Sequence, residues 1–337
     1  MKLAVIVPVY NCAKYIEECF ESLMIFPGED YEFIIVNDGS TDTSEEICLK
    51  YVKADKRFKY FKKENAGVSE ARNYGLIKAE SKYVMFLDAD DCFCASAHKI
   101  IENAISDANP EYDFTAFSYA AIGKRRYINE FLNISEDNVT DKREAEKLMY
   151  ASSQLNTSWG KIFKLDIIRK YNIRFKQGMN IGEDFIFNVQ YFRHCRTFRL
   201  SKETLVYYRV HEGSIMRSSS FAQRSKSLAV MYSYSTGLDD VNRNDILKKM
   251  MHSYYFRTVT NLLYEFGKGG IIKVCHNYRK FLGTRYVKNI IANADRQYMG
   301  KIKRLEHRLI SSGFTLLTVF YFKVKRLAGS VCARYKN

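Results

Sequence analysis

The chain predicts an α/β fold on a mainly parallel sheet, with a helical region after it. Three observations carry that expectation. Over the first 120 residues, short apolar runs alternate with segments of helical spacing, the pattern of a parallel sheet joined by helices. Polar residues gather wherever an apolar run stops, and ligands of open α/β sheets bind at the carboxyl ends of the strands. From Phe221 onward the alternation gives way to helical, aromatic sequence.

The first strand is KLAVIVPVY, strand-like from Leu3 to Val7 and broken at Pro8. AKYIEECFESLM follows with Tyr15, Ile16, Cys19, Phe20 and Leu23 at helical spacing. YEFIIVNDG is a second strand, and DTSEEICLKYVKA a helix whose start is marked by Thr41 or Asp42. RFKYFKK reads as a short third strand and VSEARNYGLIKAE as a third helix. YVMFLDADD is the fourth strand, and SAHKIIENAIS the fourth helix. Strands at Tyr112–Tyr119 and Arg126–Phe131 extend the sheet, with a helix begun at Thr140. TLVYYRV is a further strand, leading to His211.

Composition narrows the classes. A chain of 337 residues suffices for one large domain, or one with a smaller annex. The 47% hydrophobic content, with 25 Tyr and 23 Phe, excludes a disordered chain. The eight cysteines contain no CxxC pair, so neither a zinc site nor a secreted disulfide framework is expected, and a reducing cytosol is. The start lacks the apolar core and cleavage site of a signal peptide. No apolar run reaches the roughly 18 residues of a spanning helix. Net charge is +15, and residues 301–337 hold nine Lys or Arg against one acid, Glu306, a local +8. Such asymmetry points to an anionic partner, a membrane surface or a nucleic acid.

The stretch YVMFLDADD also carries chemistry. Asp88, Asp90 and Asp91 close a buried strand, and three carboxylates so placed repel one another unless a cation neutralises them. Mg²⁺ and Mn²⁺ take carboxylate oxygens and keep positions open for phosphate. Capping of the following helix is the plainer use of such acids. Asp38 is a plausible acceptor for a base or sugar donor group, Asn65 and Gly67 admit close backbone approach, and Arg72 has the reach to meet a diphosphate. NDGSTD, in turn, is also an ordinary turn and helix cap.

Four segments, VIVPVYNCAKYIEECFESL, FIIVNDGSTDTS, NAGVSEARNYGL and YVMFLDADD, in this order and spacing resemble the family-2 glycosyltransferases with the GT-A fold. The resemblance implies a nucleotide-diphospho-sugar donor, usually a UDP-sugar, bound with Mn²⁺ or Mg²⁺ and transferred with inversion. Pro8, Tyr10, Asn11 and Asp38 would hold the nucleoside, with Asn65 and Gly67 near the base. Arg72 would lie near the diphosphate, Asp88 near the ribose and metal, Ala89 on the donor, and Asp90 on the metal. Asn37-Asp38 stands where many members have two aspartates, and the second is kept.

In the middle of the chain, TSWGKIF precedes GMNIGEDFIFNVQYF, which places Glu183 and Asp184 in the first turn of a helix. Acids there favour the helix dipole on general grounds. The resemblance, through a W-x-K-x-F stretch followed by an E-D pair, makes Asp184 the candidate general base and Glu183 its support or an acceptor ligand. In the same way Arg209, His211 and Ser214 match an R-x-H-x-x-S segment in which the histidine completes the metal shell and the serine meets the diphosphate. A lone histidine without that context is ordinarily structural.

The organisation expected is a GT-A catalytic domain over 1–218, with a nucleotide-binding half (1–110) and an acceptor-binding half (111–218). A helical region then covers 219–337. The last segment, LISSGFTLLTVFYF between KIKRLEHR and KVKR, suits lying in a headgroup interface, or else docking on the protein or a second subunit. The whole reads as a cytoplasmic, membrane-peripheral enzyme of surface-polysaccharide assembly, acting on a lipid-linked saccharide acceptor, with homo-oligomers open. A nucleotidyltransferase would need a basic Gly-rich loop after strand one, which VPVYNCAKY is not. A nucleic-acid binder would need basic and aromatic residues on one recognisable module, whereas the excess charge lies in a tail beside an apolar run.

Overall fold

The computed structural model describes residues 1–106, 111–122, 127–129, 138–140, 142–151, 153–179, 181–211, 219–267 and 270–335. The chain divides into two compact units, Met1–Ser218 and Ser219–Asn337.

In the first unit β1 (Leu3–Val9), α1 (Ile16–Met24), β2 (Tyr31–Asn37), α2 (Ser44–Ala54), β3 (Phe58–Lys62), α3 (Val68–Lys78) and β4 (Tyr83–Phe86) follow in turn. The four strands lie parallel in the order β3-β2-β1-β4. β1, β2 and β4 are buried from end to end, which is why they read as near-continuous apolar runs. β1 continues through Pro8 to Val9 instead of breaking there. β4 has already ended opposite Ile6, so on that side the proline's missing N–H is not called upon. α3 presses on β1 so closely that a Cβ at Gly75 would lie 2.4 Å from Ile6 Cγ2.

Past β4 come β5 (Cys92–Phe93), α4 (Ala97–Ile105), β6 (Phe114–Ile122), β7 (Tyr127–Asn129), β8 (Asn138–Thr140), α5 (Lys142–Ala151), β9 (Lys161–Lys164), α6 (Leu165–Lys170), α7 (Glu183–Phe192) and β10 (Phe198–Arg209). Here the sheet turns mixed: β9 is antiparallel to β4 and β6, while β10 runs parallel to β6 and antiparallel to β5 and β8. The starts of α2 and α5 also differ from the sequence expectation. α2 starts at Ser44, because Asp42 is spent accepting the Ser44 and Ala13 N–H groups. Thr140 closes a strand, and α5 starts only at Lys142.

Among the described residues, an acid is fully buried inside the sheet. Glu32 on β2 is fully buried and accepts from the Glu80 and Ser81 N–H groups, the Ser81 hydroxyl and Lys59 Nζ, at 2.7–2.8 Å. Burial pushes its carboxyl up, but Lys59, Ser81 and the Glu80 N–H outweigh that and hold it below its ordinary 4.5. Its contribution to stability is therefore present above about pH 4.5 and is lost as pH falls through the depressed folded value. Glu32→Ala should lower the unfolding free energy by about 3 kcal/mol at pH 7, measured by urea unfolding. The deficit should shrink in acid.

The second unit is helical in its described residues: α8 (Phe221–Thr236), α9 (Asp239–Asn242), α10 (Asp245–Phe266), α11 (Ile271–Leu282), α12 (Arg285–Asn293), α13 (Lys301–Ser311) and α14 (Thr315–Tyr335). Its aromatic residues fill the interior, with Tyr255, Phe256 and Tyr278 buried. Among the described residues no helix is long and apolar enough to cross a membrane.

Candidate active site

The site is built where β4 stops. Leu87 still donates its N–H to Ile6 O at 3.1 Å, and then the chain turns, with Asp91 N–H on Asp88 O at 3.0 Å. The turn brings carboxylate oxygens of Asp88, Asp90 and Asp91 within 4.8 Å of one another. Asp91 is buried; one oxygen accepts the Arg209 N–H at 2.7 Å, and Oδ2 has no hydrogen-bond partner. Burial and then the Asp88 charge push the Asp90 carboxyl up, against the hydrogen bond from His211. Burial, Asp88 and Asp90 push that of Asp91 up further. A buried carboxylate oxygen without a donor, beside two more carboxylates, matches the oxygen ligands that a hard divalent cation requires. The donor set thus fits Mn²⁺ or Mg²⁺.

β10 delivers the second wall. His211 Nε2 lies 2.8 Å from Asp90 Oδ2, and its ring rests against Tyr15 at 4.8 Å between centroids. Arg209 donates Nε–H to Asp90 O at 2.9 Å and stacks over the same tyrosine. Ser214 lies outside the described residues.

Arg72, in the second turn of α3, joins this corner to the next. Its guanidinium is 3% exposed. One amino group binds Asp88 Oδ1 at 2.7 Å; the other binds Asp184 Oδ1 at 2.8 Å and Glu183 at 3.3 Å. The face of the guanidinium covers Phe175. Burial would lower the pKa of this cation, but Asp184, Asp88 and Glu183 together hold it up. Arg72 therefore spends both amino groups on carboxylates, where the sequence directed it toward a diphosphate.

Glu183 and Asp184 open α7 after Gly182, whose φ of +82° turns the chain into the helix. The second oxygen of Asp184 accepts the Ser158 N–H at 3.0 Å, so a cation and a backbone donor fix the carboxylate from two sides. Glu183 is pushed up to about 7, by burial first and the Asp184 charge second, with Arg72 opposing. Behind Asp184, buried Lys161 donates to Thr157 Oγ1 at 2.7 Å and Trp159 O at 3.2 Å. Burial lowers its ammonium to about 7, with Asp184 acting the other way.

The ends of β1 and β2 form a third group. Asp38 is buried, and its carboxylate accepts the Ala66 N–H at 3.0 Å and the Gly67 N–H at 2.8 Å, with Lys63 Nζ beside it. It thereby shapes the loop that carries exposed Asn65. Gly39 has φ +73°, and a Cβ there would meet Asn65 N at 2.9 Å. Asn11, at φ +50°, accepts the Thr41 N–H at 2.8 Å, and Tyr10 stands exposed beside it. Pro8 belongs to β1 itself, and Ala89 is buried in the core beneath the acids.

Sequence reasoning named Asp91 only as part of the acid run, and gave Lys161 and Ser158 no role. The third acid was in view, but its burial and the bond from the Arg209 N–H, 118 residues away, were not. Lys161 lay inside a quoted motif; its burial was the missing signal.

The family model described as "Glycosyl transferase family 2" matches residues 4–171. Glycosyltransferase GlyA of Streptococcus pneumoniae is 32% identical over 227 residues, which is 64% of this chain and 32% of that protein. The minor teichoic acid biosynthesis protein GgaB of Bacillus subtilis is 32% identical over 249 residues, 72% of this chain and 27% of that protein. The matched region thus spans about a third or less of these two relatives. Among solved structures, residues 1–349 of S. aureus TarS in complex with UDP-GlcNAc superpose with a TM-score of 0.74 at 20% identity, covering 97% of this chain and 92% of that one. That likeness is one of fold.

Proposed function

Residues 4–171 place the chain in glycosyl transferase family 2, with the GT-A fold, and from that membership we propose that it is an inverting glycosyltransferase. It moves a sugar from a nucleotide-diphospho-sugar, a UDP-sugar, to a hydroxyl of a lipid-linked saccharide acceptor. The setting is surface-polymer synthesis at the cytoplasmic face of the membrane. The description of GgaB, a teichoic acid biosynthesis protein, supports the polymer, and the complex of TarS supports the donor class.

The observation that carries the reading is the Arg72 bridge between Asp88 and Asp184. It ties an acid cluster suited to a cation and phosphates to a carboxylate suited to a base. In the proposed mechanism Asp184 accepts the proton of the acceptor hydroxyl as its oxygen attacks the anomeric carbon. The bond from that carbon to the diphosphate breaks, and its electron pair leaves with the nucleoside diphosphate. Asp90 and His211, with Asp88 and Asp91 beside them, would hold the Mn²⁺ or Mg²⁺, which when bound would offset charge on the departing diphosphate. Pro8, Tyr10, Asn11, Asp38, Asn65 and Gly67 form the nucleoside side of the proposed donor pocket. Arg72, Asp88, Ala89 and Ser214 complete the proposed donor residues.

The test is Mn²⁺-dependent hydrolysis across a panel of nucleotide sugars, which should single out one UDP-sugar. Asp90→Asn should weaken Mn²⁺-dependent UDP binding about tenfold or more by calorimetry, with an unchanged melting curve. His211→Ala should do the same more mildly. Unaltered UDP and Mn²⁺ affinity in Asp90→Asn would remove the metal assignment.

A further inference from the structure

The helical unit ends in a surface of unusual make-up. In α14 the residues Leu316, Leu317, Phe320 and Val324 recur at helical spacing, and all are exposed, Phe320 to 64%. Phe314 just before the helix is exposed to the same degree. The opposite face, Thr318, Val319 and Phe322, is buried, and Phe322 meets the Tyr278 ring of α11 at 6.4 Å. α14 therefore docks by one side and presents a second apolar side to solvent. Ile302 and Leu305 of α13 add to the exposed apolar surface. Exposed apolar residues concentrated in this way mark an interaction surface.

Charge selects the partner. Lys301, Arg304 and Arg308 are exposed on α13. The only acid in residues 301–337, Glu306, is fully buried and ion-paired to Lys303 at 2.9 Å and Lys325 at 2.5 Å. No carboxylate in this segment therefore faces outward, and the segment keeps its net +8. A cavity of about 640 Å³ reaches Gly313 and Thr315, on either side of Phe314, and Arg279, Lys288 and Arg296 add three more cations to its lining. A second copy of the chain seated face to face here would set the exposed Lys301, Arg304 and Arg308 against like charges.

We propose that the outward face of α13 and α14 seats the protein on an anionic phospholipid bilayer. Phe314, Leu317 and Phe320 enter the headgroup boundary while the basic side chains meet lipid phosphates. The proposal rests on the membrane-peripheral part of the function proposed above and gives it a surface. The two expectations for this segment, lying in the interface and docking on the protein, are then the two faces of one helix.

The test is co-sedimentation of the full-length protein with vesicles of phosphatidylcholine alone or mixed with phosphatidylglycerol, at low and at physiological salt. The wild type should pellet with the anionic vesicles, about tenfold or more over the neutral ones, and detach as salt rises. Leu317→Glu with Phe320→Glu should lose that binding about tenfold or more, with melting curve and UDP affinity unchanged. Lys301→Glu with Arg308→Glu, both exposed, should do the same through charge alone. Equal binding to neutral vesicles, or wild-type binding by both variants, would overturn the proposal. So would a wild-type dimer in sedimentation velocity that the Leu317 and Phe320 changes split, since the face would then be a contact between copies. Donor hydrolysis without vesicles reports on the transferase reading separately.

Discussion

Asp184→Asn should bind UDP-sugar and Mn²⁺ as the wild type does while transfer falls by about 10² or more, the scale of losing a general base. The change keeps the side chain's shape and removes its basicity. Its oxygen can still accept from Arg72, but its amide nitrogen then faces the Ser158 N–H, donor against donor. A stability loss of about 1–3 kcal/mol should accompany the kinetic one, so transfer must be read well below the variant's melting temperature. Glu183→Gln is the control. Glu183 is buried and pushed up to about 7, so its protonated form, which glutamine imitates, is substantially populated at neutral pH. A raised carboxyl pKa means that stability is complete below the ordinary 4.5 and declines as pH rises toward 7. Glu183→Gln should remove this decline and keep transfer within a few-fold of wild type. If instead Glu183→Gln loses transfer and Asp184→Asn keeps it, the two roles are exchanged. If neither matters, the base lies elsewhere.

The first half of the fold was legible because buried parallel strands announce themselves twice, by unbroken apolar runs and by the helices between them. β1, β2 and β4 are such strands, and because they run parallel the polar residues at their ends lie along one edge of the sheet. Boundaries were less legible where a side chain had a tertiary use. Asp42 looked like a helix start but is held by the Ala13 N–H, 29 residues back. The apolar segment near the C-terminus admitted two readings because both of its faces are apolar, and a periodicity cannot say which one is covered. Candidate residues were readable by type at the strand ends, whereas their partners were not. Asp38 suggested a ligand acceptor, yet its oxygens also hold the Ala66 and Gly67 N–H groups, a pairing set by the loop after β3. Arg72 shows the same limit most sharply: Asp88 lies 16 residues away and Asp184 lies 112 away.

Arg72→Met should be the most destabilising of these changes. The side chain is about the right length, so little volume is lost, but the counter-charge vanishes from among Asp88, Glu183 and Asp184. Removing one partner from a buried ion pair costs about 3–5 kcal/mol, because the remaining charge is left uncompensated. Asp88 and Asp184, with the partly protonated Glu183, share this one guanidinium, so a loss within that range is expected in urea unfolding at pH 7. Arg72→Lys restores the charge but not the planar fork: an ammonium cannot reproduce the paired donors that span Asp88 and Asp184. It should recover part of the stability and little of the transfer. A double change, Arg72→Met with Asp88→Asn, should be less destabilising than the sum of its parts, since each removes one side of the same contact. Additive losses would mean that Asp88 and Arg72 act independently, and the link between the acid cluster and the proposed base would fall with them. Wild-type stability in Arg72→Met would show that the three carboxylates find their neutralisation without it.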